Sequence, residues 1–221
     1  MLTLTKSQRE FLDEATLVYE EGFLDSPAAQ YIESRGLDPA QAQRMFHLGH
    51  VSDPLPSHER FRGMLSIPYL AKSGTVGIKF RRLDDGTPKY LATENSRVRL
   101  FNVLDSLTNS SQVLIVEGEM DTITAKLAGV PAVVGIAGAN NWKSHFARVL
   151  DGFDEVLVCV DNDLKNDSVN AGQVLAGKIL REIPHARNII IPSGMDINDV
   201  YCVSGHEGLL STLGVKIEPQ H

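Results

Sequence analysis

Cysteine is scarce in this chain. Its 221 residues hold two, Cys159 and Cys202. They are far apart and form no Cys-x-x-Cys pair, which excludes a zinc ribbon within the chain. Cys159 falls in an apolar stretch and is expected to be inert core. No window holds the ~18 apolar residues a transmembrane helix needs, so no membrane association is expected. The opening residues contain no apolar stretch of signal-peptide length, and the reading is intracellular. Internal repeats and low-complexity tracts are also lacking. So is an overall positive charge: the net charge is −7, which argues against a protein that simply coats nucleic acid.

The charge that is present is unevenly placed. From Arg60 to Arg99 there are nine Lys/Arg and three Asp/Glu; from Ser111 to the end there are eight Lys/Arg and fourteen Asp/Glu. The first stretch suits phosphates and the second suits a metal ion.

Periodicity divides the chain in the same way. Ser7 with Glu10 has the spacing of a capping box, and apolar residues recur at helical spacing up to Gly22. Further helices are expected from Pro27 to Gly36 and from Pro39 to Met45. The period then changes to two. Met64 to Leu70 and Thr75 to Arg81 read as antiparallel strands, and Pro88 to Leu91 as a short one, in a small sheet with a basic face. Tyr90 or Phe80 could stack a base there, although sheet core is the favoured reading for both.

From Gln112 strands and helices alternate. Strands are expected at Val113–Val116, Ala132–Gly135, Glu155–Val160 and Asn188–Ile191. Helices are expected at Met120–Ala128, Asn141–Leu150, Val169–Arg181, Ile197–Cys202 and Glu207–Leu213. This order implies a mostly parallel sheet covered on both faces. The fold class is therefore α/β: an α+β N-terminal subdomain (1–110) followed by a Rossmann-like, mostly parallel sheet (111–221).

Ligands of such sheets bind beyond the carboxyl ends of the strands. Three strand ends carry acids: Glu117, Glu119 and Asp121 after the first, Asp161 and Asp163 after the third, Asp196 and Asp199 after the fourth. Gly118 is expected to turn the chain sharply at the first. Clustered carboxylates repel one another, and a hard cation removes that cost. Mg²⁺ takes oxygen ligands and often only one or two carboxylates, with water and substrate phosphates completing its shell. Acids after a strand also cap the next helix, and Glu119 and Asp199 are as readily only that. His145, His185 and His206 lack ligand spacing, and Trp142 is expected to pack the helix it begins.

Residues 113–121, 158–163 and 194–199 together resemble the Toprim domain of bacterial DnaG-type primases. The likeness extends upstream through residues 62–68, 77–81 and 87–91, which look like the basic subdomain preceding Toprim in those primases, and more loosely to 31–36. The resemblance implies RNA primer synthesis by nucleotidyl transfer. Glu117, Asp161 and Asp163 are then the catalytic, metal-binding carboxylates for Mg²⁺ or Mn²⁺, with Asp121 and Asp196 supporting. Arg81 and Lys89 match basic positions near the template and nucleotide path; Lys79, Arg82 and Arg62 join them on charge alone. The implied partners are single-stranded DNA template and ribonucleoside triphosphates. The implied location is the bacterial cytoplasm, with phage origin an option.

The sequence departs from the family at Asn162, where Gly is usual, at a longer loop before Ala171, at Asn198 in place of Asp, and at Ala92-Thr93 in place of Asn-Ser. The family's zinc-ribbon and helicase-binding domains have no counterpart. The expected protein is thus a reduced polymerase core, served by a replicative helicase or a separate zinc-binding module. A Toprim nuclease and a non-catalytic DNA-binding accessory protein are the alternatives.

Overall fold

The computed structural model describes residues 4–93, 96–161 and 170–216. Asp163 lies outside these described residues. The chain forms two compact units, Met1–Arg97 and Val98–His221.

The first unit opens with α1 (Lys6–Glu21), α2 (Pro27–Ser34) and α3 (Pro39–Phe46). The capping box of α1 is Thr5 with Gln8, not Ser7 with Glu10. Both pairs have the required spacing. The earlier pair satisfies the orphan N–H groups of a longer helix, and Glu10 instead faces Lys6 at 3.6 Å. Ser26 and Asp38 cap α2 and α3, each followed by the proline that suits a first helical turn.

Strands β1 (Gly49–His50), β2 (Leu65–Ala71), β3 (Gly74–Arg81) and β4 (Tyr90–Ala92) follow and pair antiparallel in that order. Alternation along β3 sends Ile78 and Phe80 into a core with Leu12, Ala15 and Tyr19 of α1. Phe80 is fully buried and stacks on Phe61, with ring centroids 3.8 Å apart. It is sheet core, as the favoured reading had it.

The second unit is a five-stranded sheet of order β5-β7-β6-β8-β9. Strands β6 (Gln112–Val116), β7 (Val133–Ile136), β8 (Glu155–Cys159) and β9 (Ala186–Asn188) are parallel. Strand β5 (Leu100–Phe101), which the sequence reading did not foresee, pairs antiparallel with β7 at one edge. Along β6, Val113 and Ile115 enter one core with residues of α5 (His145–Leu150) and α6 (Ala171–Glu182). Leu114 and Val116 enter the other, with residues of α4 (Glu119–Leu127) and α7 (Ile197–Leu213). Burial on both faces explains the uninterrupted apolar run of β6.

Two expected boundaries moved. Strand β9 ends at Asn188, yet Ile189 and Ile191 stay buried, and Ile189 N–H still donates to the Val158 carbonyl at 2.7 Å. The chain leaves the ladder before Pro192, which has no N–H to offer it. The helix expected over Asn141–Leu150 is a 3₁₀ turn at Ala139–Asn141 and then α5. Between them, extended Trp142 buries its ring and donates Nε1–H to Glu182 at 2.8 Å. Helix α7 is broken at Gly205, whose φ is 67°.

Candidate metal and nucleotidyl-transfer site

Strands β6 and β8 are adjacent, parallel and in register, with Val116 opposite Cys159. Their next residues therefore leave the sheet at the same edge. Glu117 directly follows β6, and Asp161 follows β8 after Val160. Gly172, in the first turn of α6, shows how close they are. A Cβ on Gly172 would lie 2.2 Å from the Asp161 carbonyl oxygen and 3.3 Å from Oε2 of Glu117. The absence of a side chain lets α6 start against both strand ends.

Asp121 belongs to the same neighbourhood. It lies in the first turn of α4, where carboxylates complement the helix dipole. The Cys159 thiol is pushed up to about 12, first by burial and then by the negative charges of Asp121 and Asp161. The cysteine thus senses both carboxylates, and burial makes it the inert core residue expected.

Gly118 is extended (φ −138°, ψ 171°), a conformation open to any residue. The chain does bend at Glu117 and Gly118, as expected, but through a backbone conformation that does not require glycine. Besides Gly172, close packing demands Gly135 on β7, where a Cβ would fall 2.3 Å from Thr122 Oγ1 and 2.9 Å from the Gly118 carbonyl oxygen. The Thr122 hydroxyl donates to that carbonyl at 2.7 Å, fixing the start of α4 against the sheet.

The third acidic cluster is arranged as a helix cap. Asp196 Oδ1 accepts from Asp199 N–H at 2.7 Å, and Asp199 Oδ2 accepts from Asp196 N–H at 3.0 Å. Glu119 is buried in the first turn of α4, where a carboxylate complements the helix dipole. His145, His185 and His206 are exposed.

Among the described residues, no group of three or more His, Cys, Asp or Glu side chains has metal-binding spacing. Glu117 and Asp161 nonetheless fit a hard cation. They supply carboxylate oxygens from adjoining strand ends, and Mg²⁺ takes its remaining ligands from water and substrate.

The basic residues of the first unit occupy different environments. Arg62 and Lys89 are exposed. Arg62 donates to the Ser52 carbonyl at 2.6 Å and lies 3.6 Å from Asp53. Half-buried Arg82 pairs with Asp84 at 3.3 Å. Lys79 and Arg81 share one face of β3. The Lys79 ammonium lies 5.5 Å from the Tyr90 ring centroid. The Arg81 guanidinium lies 4.0 Å from that of Tyr31 and 5.7 Å from that of Tyr90. Arg81 is only 6% exposed, and its Nη1 donates to the Arg82 carbonyl. It holds β3, α2 and β4 together through cation–π contacts.

Sequence reasoning missed three polar contacts within the second unit. Lys126 of α4 meets Asp105 at 2.7 Å, and both are largely buried. Asp105 also accepts from the Val133 N–H of β7 at 3.0 Å. Buried Asn198 of α7 donates to Thr124 of α4 at 3.2 Å. Asp105 lies in a five-residue 3₁₀ helix, Val103–Leu107, too short to show a period in the sequence, so only its tertiary partners reveal it.

A parallel sheet with acids beyond the carboxyl ends of β6 and β8, faced by α6 at Gly172, defines a Toprim-type α/β protein. Residues 114–201 match the family described as Toprim-like. The chain is 36% identical over 158 residues to the Gene 57 protein of Mycobacterium phage D29, covering 69% of this chain and 99% of that protein. It is 27% identical over 179 residues to the DNA primase of Haemophilus influenzae, covering 73% of this chain and 30% of that protein. The fold is that of the DnaG primase catalytic domain, one structure of which is bound to single-stranded DNA. That match has a TM-score of 0.76 at 20% identity and covers 93% of this chain and 80% of that one. The chain belongs to the family of the phage Gene 57 protein, carries a Toprim-like domain, and has the fold of the DnaG catalytic core. It spans about a third of the length of the DNA primases it matches.

Proposed function

We propose that this chain is a primase core that joins ribonucleotides into short primers on single-stranded DNA. The observation that carries the reading is the convergence of Glu117 and Asp161 at adjoining strand ends, closed by the glycine start of α6. Glu117 and Asp161, with Asp163 and supported by Asp121 and Asp196, would hold Mg²⁺ or Mn²⁺. When bound, the cation supplies charge neutralisation at the departing pyrophosphate and makes the primer hydroxyl more acidic.

The chain's own part is positioning. Asp161 and Glu117 stand at the ends of adjacent, hydrogen-bonded strands, so the sheet itself keeps their backbones close together. Exposed Lys89 and Arg62, with Lys79 and Arg82, provide cations for phosphates of template and triphosphate. Arg81 acts from beneath, orienting Tyr31 and Tyr90. A replicative helicase or a separate zinc-binding module fits as a partner that supplies template selection.

The test is incubation of the purified chain with single-stranded DNA, labelled ribonucleotides and Mg²⁺ or Mn²⁺, beside Asp161→Asn and Asp163→Asn variants. Short RNA from the wild type alone supports the reading. Degraded template points to a nuclease. Intact template with no RNA, even with added helicase and zinc module, refutes polymerase activity and leaves the accessory role.

A further inference from the structure

The first unit carries a feature that primer synthesis does not use. Leu17 and Val18 on α1 and Leu24 in the α1–α2 connection are 67%, 41% and 51% exposed. Single exposed aliphatics are ordinary, whereas an apolar cleft with a rim of one charge sign is not. These three, with Glu20, Glu21 and Gln43, line one groove of about 540 Å³. Its walls are tied together. Gln43 Nε2 donates to the Glu20 carbonyl at 2.6 Å, and the Glu20 carboxylate meets His47 Nδ1 at 2.9 Å. The groove is therefore preformed.

Charge selects the occupant. The residues lining the groove include Glu20 and Glu21 and no Lys or Arg, and exposed Glu14 lies one further turn along α1, with Arg44 beside Gln43 on α3 as the nearby cation. Nucleic acid is repelled by such a surface. A second copy of the chain would bring the same acids against these, which disfavours self-association. We propose that the groove is a docking site for an amphipathic helix of another protein. Its aliphatic side chains at helical spacing enter between Leu17, Val18 and Leu24, and its Lys/Arg residues meet Glu21 and the acids of α1. The inference does not depend on the proposed activity of the second unit.

The probe is a labelled, amidated Leu/Lys peptide of about 18 residues, five helical turns, patterned as an amphipathic helix. A Leu/Glu peptide of the same pattern and a scrambled Leu/Lys peptide serve as controls. Binding to the full chain is followed by fluorescence anisotropy. The wild type should bind the patterned Leu/Lys peptide saturably, and more weakly at high salt. Leu17→Ser/Leu24→Ser and Glu14→Lys/Glu21→Lys should each weaken binding about tenfold or more. Glu207→Lys, an exposed charge change in the other unit, should leave it unchanged. These positions are on the surface, so unaltered circular dichroism and thermal melting confirm that the variants fold.

Several outcomes overturn the proposal. They are no saturable binding, equal binding of either control peptide, or equal loss in Glu207→Lys. Binding of a labelled DNA oligonucleotide to the wild type that Leu17→Ser/Leu24→Ser abolishes overturns it too. So does a dimer in sedimentation that Leu17→Ser/Leu24→Ser dissolves, which assigns the groove to a second copy.

Discussion

Gly172 and Gly177 lie five residues apart on α6, and replacing each by alanine should have opposite effects. At Gly177 a Cβ finds only Arg181 Nη1, at 3.7 Å, an ordinary contact. Alanine there should stabilise by roughly 0.5–1 kcal/mol, the usual gain over glycine inside a helix. At Gly172 the same atom meets the Asp161 carbonyl oxygen at 2.2 Å, where ordinary contact begins at 3.4 Å. The deficit, 3.4 − 2.2, is 1.2 Å. It must be relieved by backbone, because the obstacle is not a side chain. Overpacking of this kind costs roughly 1–3 kcal/mol. At about 4 °C per kcal/mol for a unit of this size, Gly177→Ala should raise Tm by about 3 °C and Gly172→Ala should lower it by about 8 °C. Activity should separate the two further. Relief of the clash moves either α6 or the strand end bearing Asp161, close to Glu117 Oε2. A misplacement of about 1 Å can cost on the order of 100-fold in rate. The assay is primer synthesis per folded molecule, measured beside thermal melting for both variants. Gly172→Ala with the activity and Tm of Gly177→Ala would refute the argument that this close approach sets the carboxylate geometry.

Burial holds His58 below its ordinary range, where it meets the Tyr19 hydroxyl at 2.9 Å, and burial also lowers His50. The unfolded chain binds protons near pH 6.5 and the folded one does so only at lower pH. Stability of the first unit should therefore be full above about pH 6.5 and fall as pH drops through the window beneath it. Hydrogen exchange of α1 and β3 amides between pH 7.5 and 5.5 checks this, and a flat profile after correction for intrinsic exchange would count against it. Asp105→Ala should cost about 3 kcal/mol in urea melts, because it strands the Lys126 ammonium in a largely buried site. Asp105→Leu/Lys126→Met should cost much less, and equal losses would show that the charge pair is not the cause. Native protein at pH 8 should react with a thiol reagent at exposed Cys202 and not at Cys159, whose thiol is pushed up to about 12. Peptide mapping that finds Cys159 labelled as fast as Cys202 would contradict the burial argument.

The residues that were legible in the sequence are those whose role is local or periodic. Val113 to Val116 could be read as a doubly buried parallel strand because both faces demand apolar side chains. From that strand followed the sheet edge on which Glu117 and Asp161 appear. What stayed hidden depends on partners distant in sequence. Leu100 and Phe101 are two residues long as a strand and become one only by pairing with β7. Trp142 breaks its helix because Glu182, forty residues away, takes its indole N–H. Arg81 looked like a surface cation on an alternating strand, yet Tyr31 of a helix fifty residues earlier covers it. The same logic separates Gly118 from Gly172. The sequence context, a glycine between two acids, pointed to the first, but its backbone is ordinary. The glycine that brings the acidic edge together lies on another element, and its requirement exists only once α6 meets the end of β8. The chemistry of such a site is written in its acids. Its geometry is written in the small residues that let those acids approach, and these carry no chemical signature of their own.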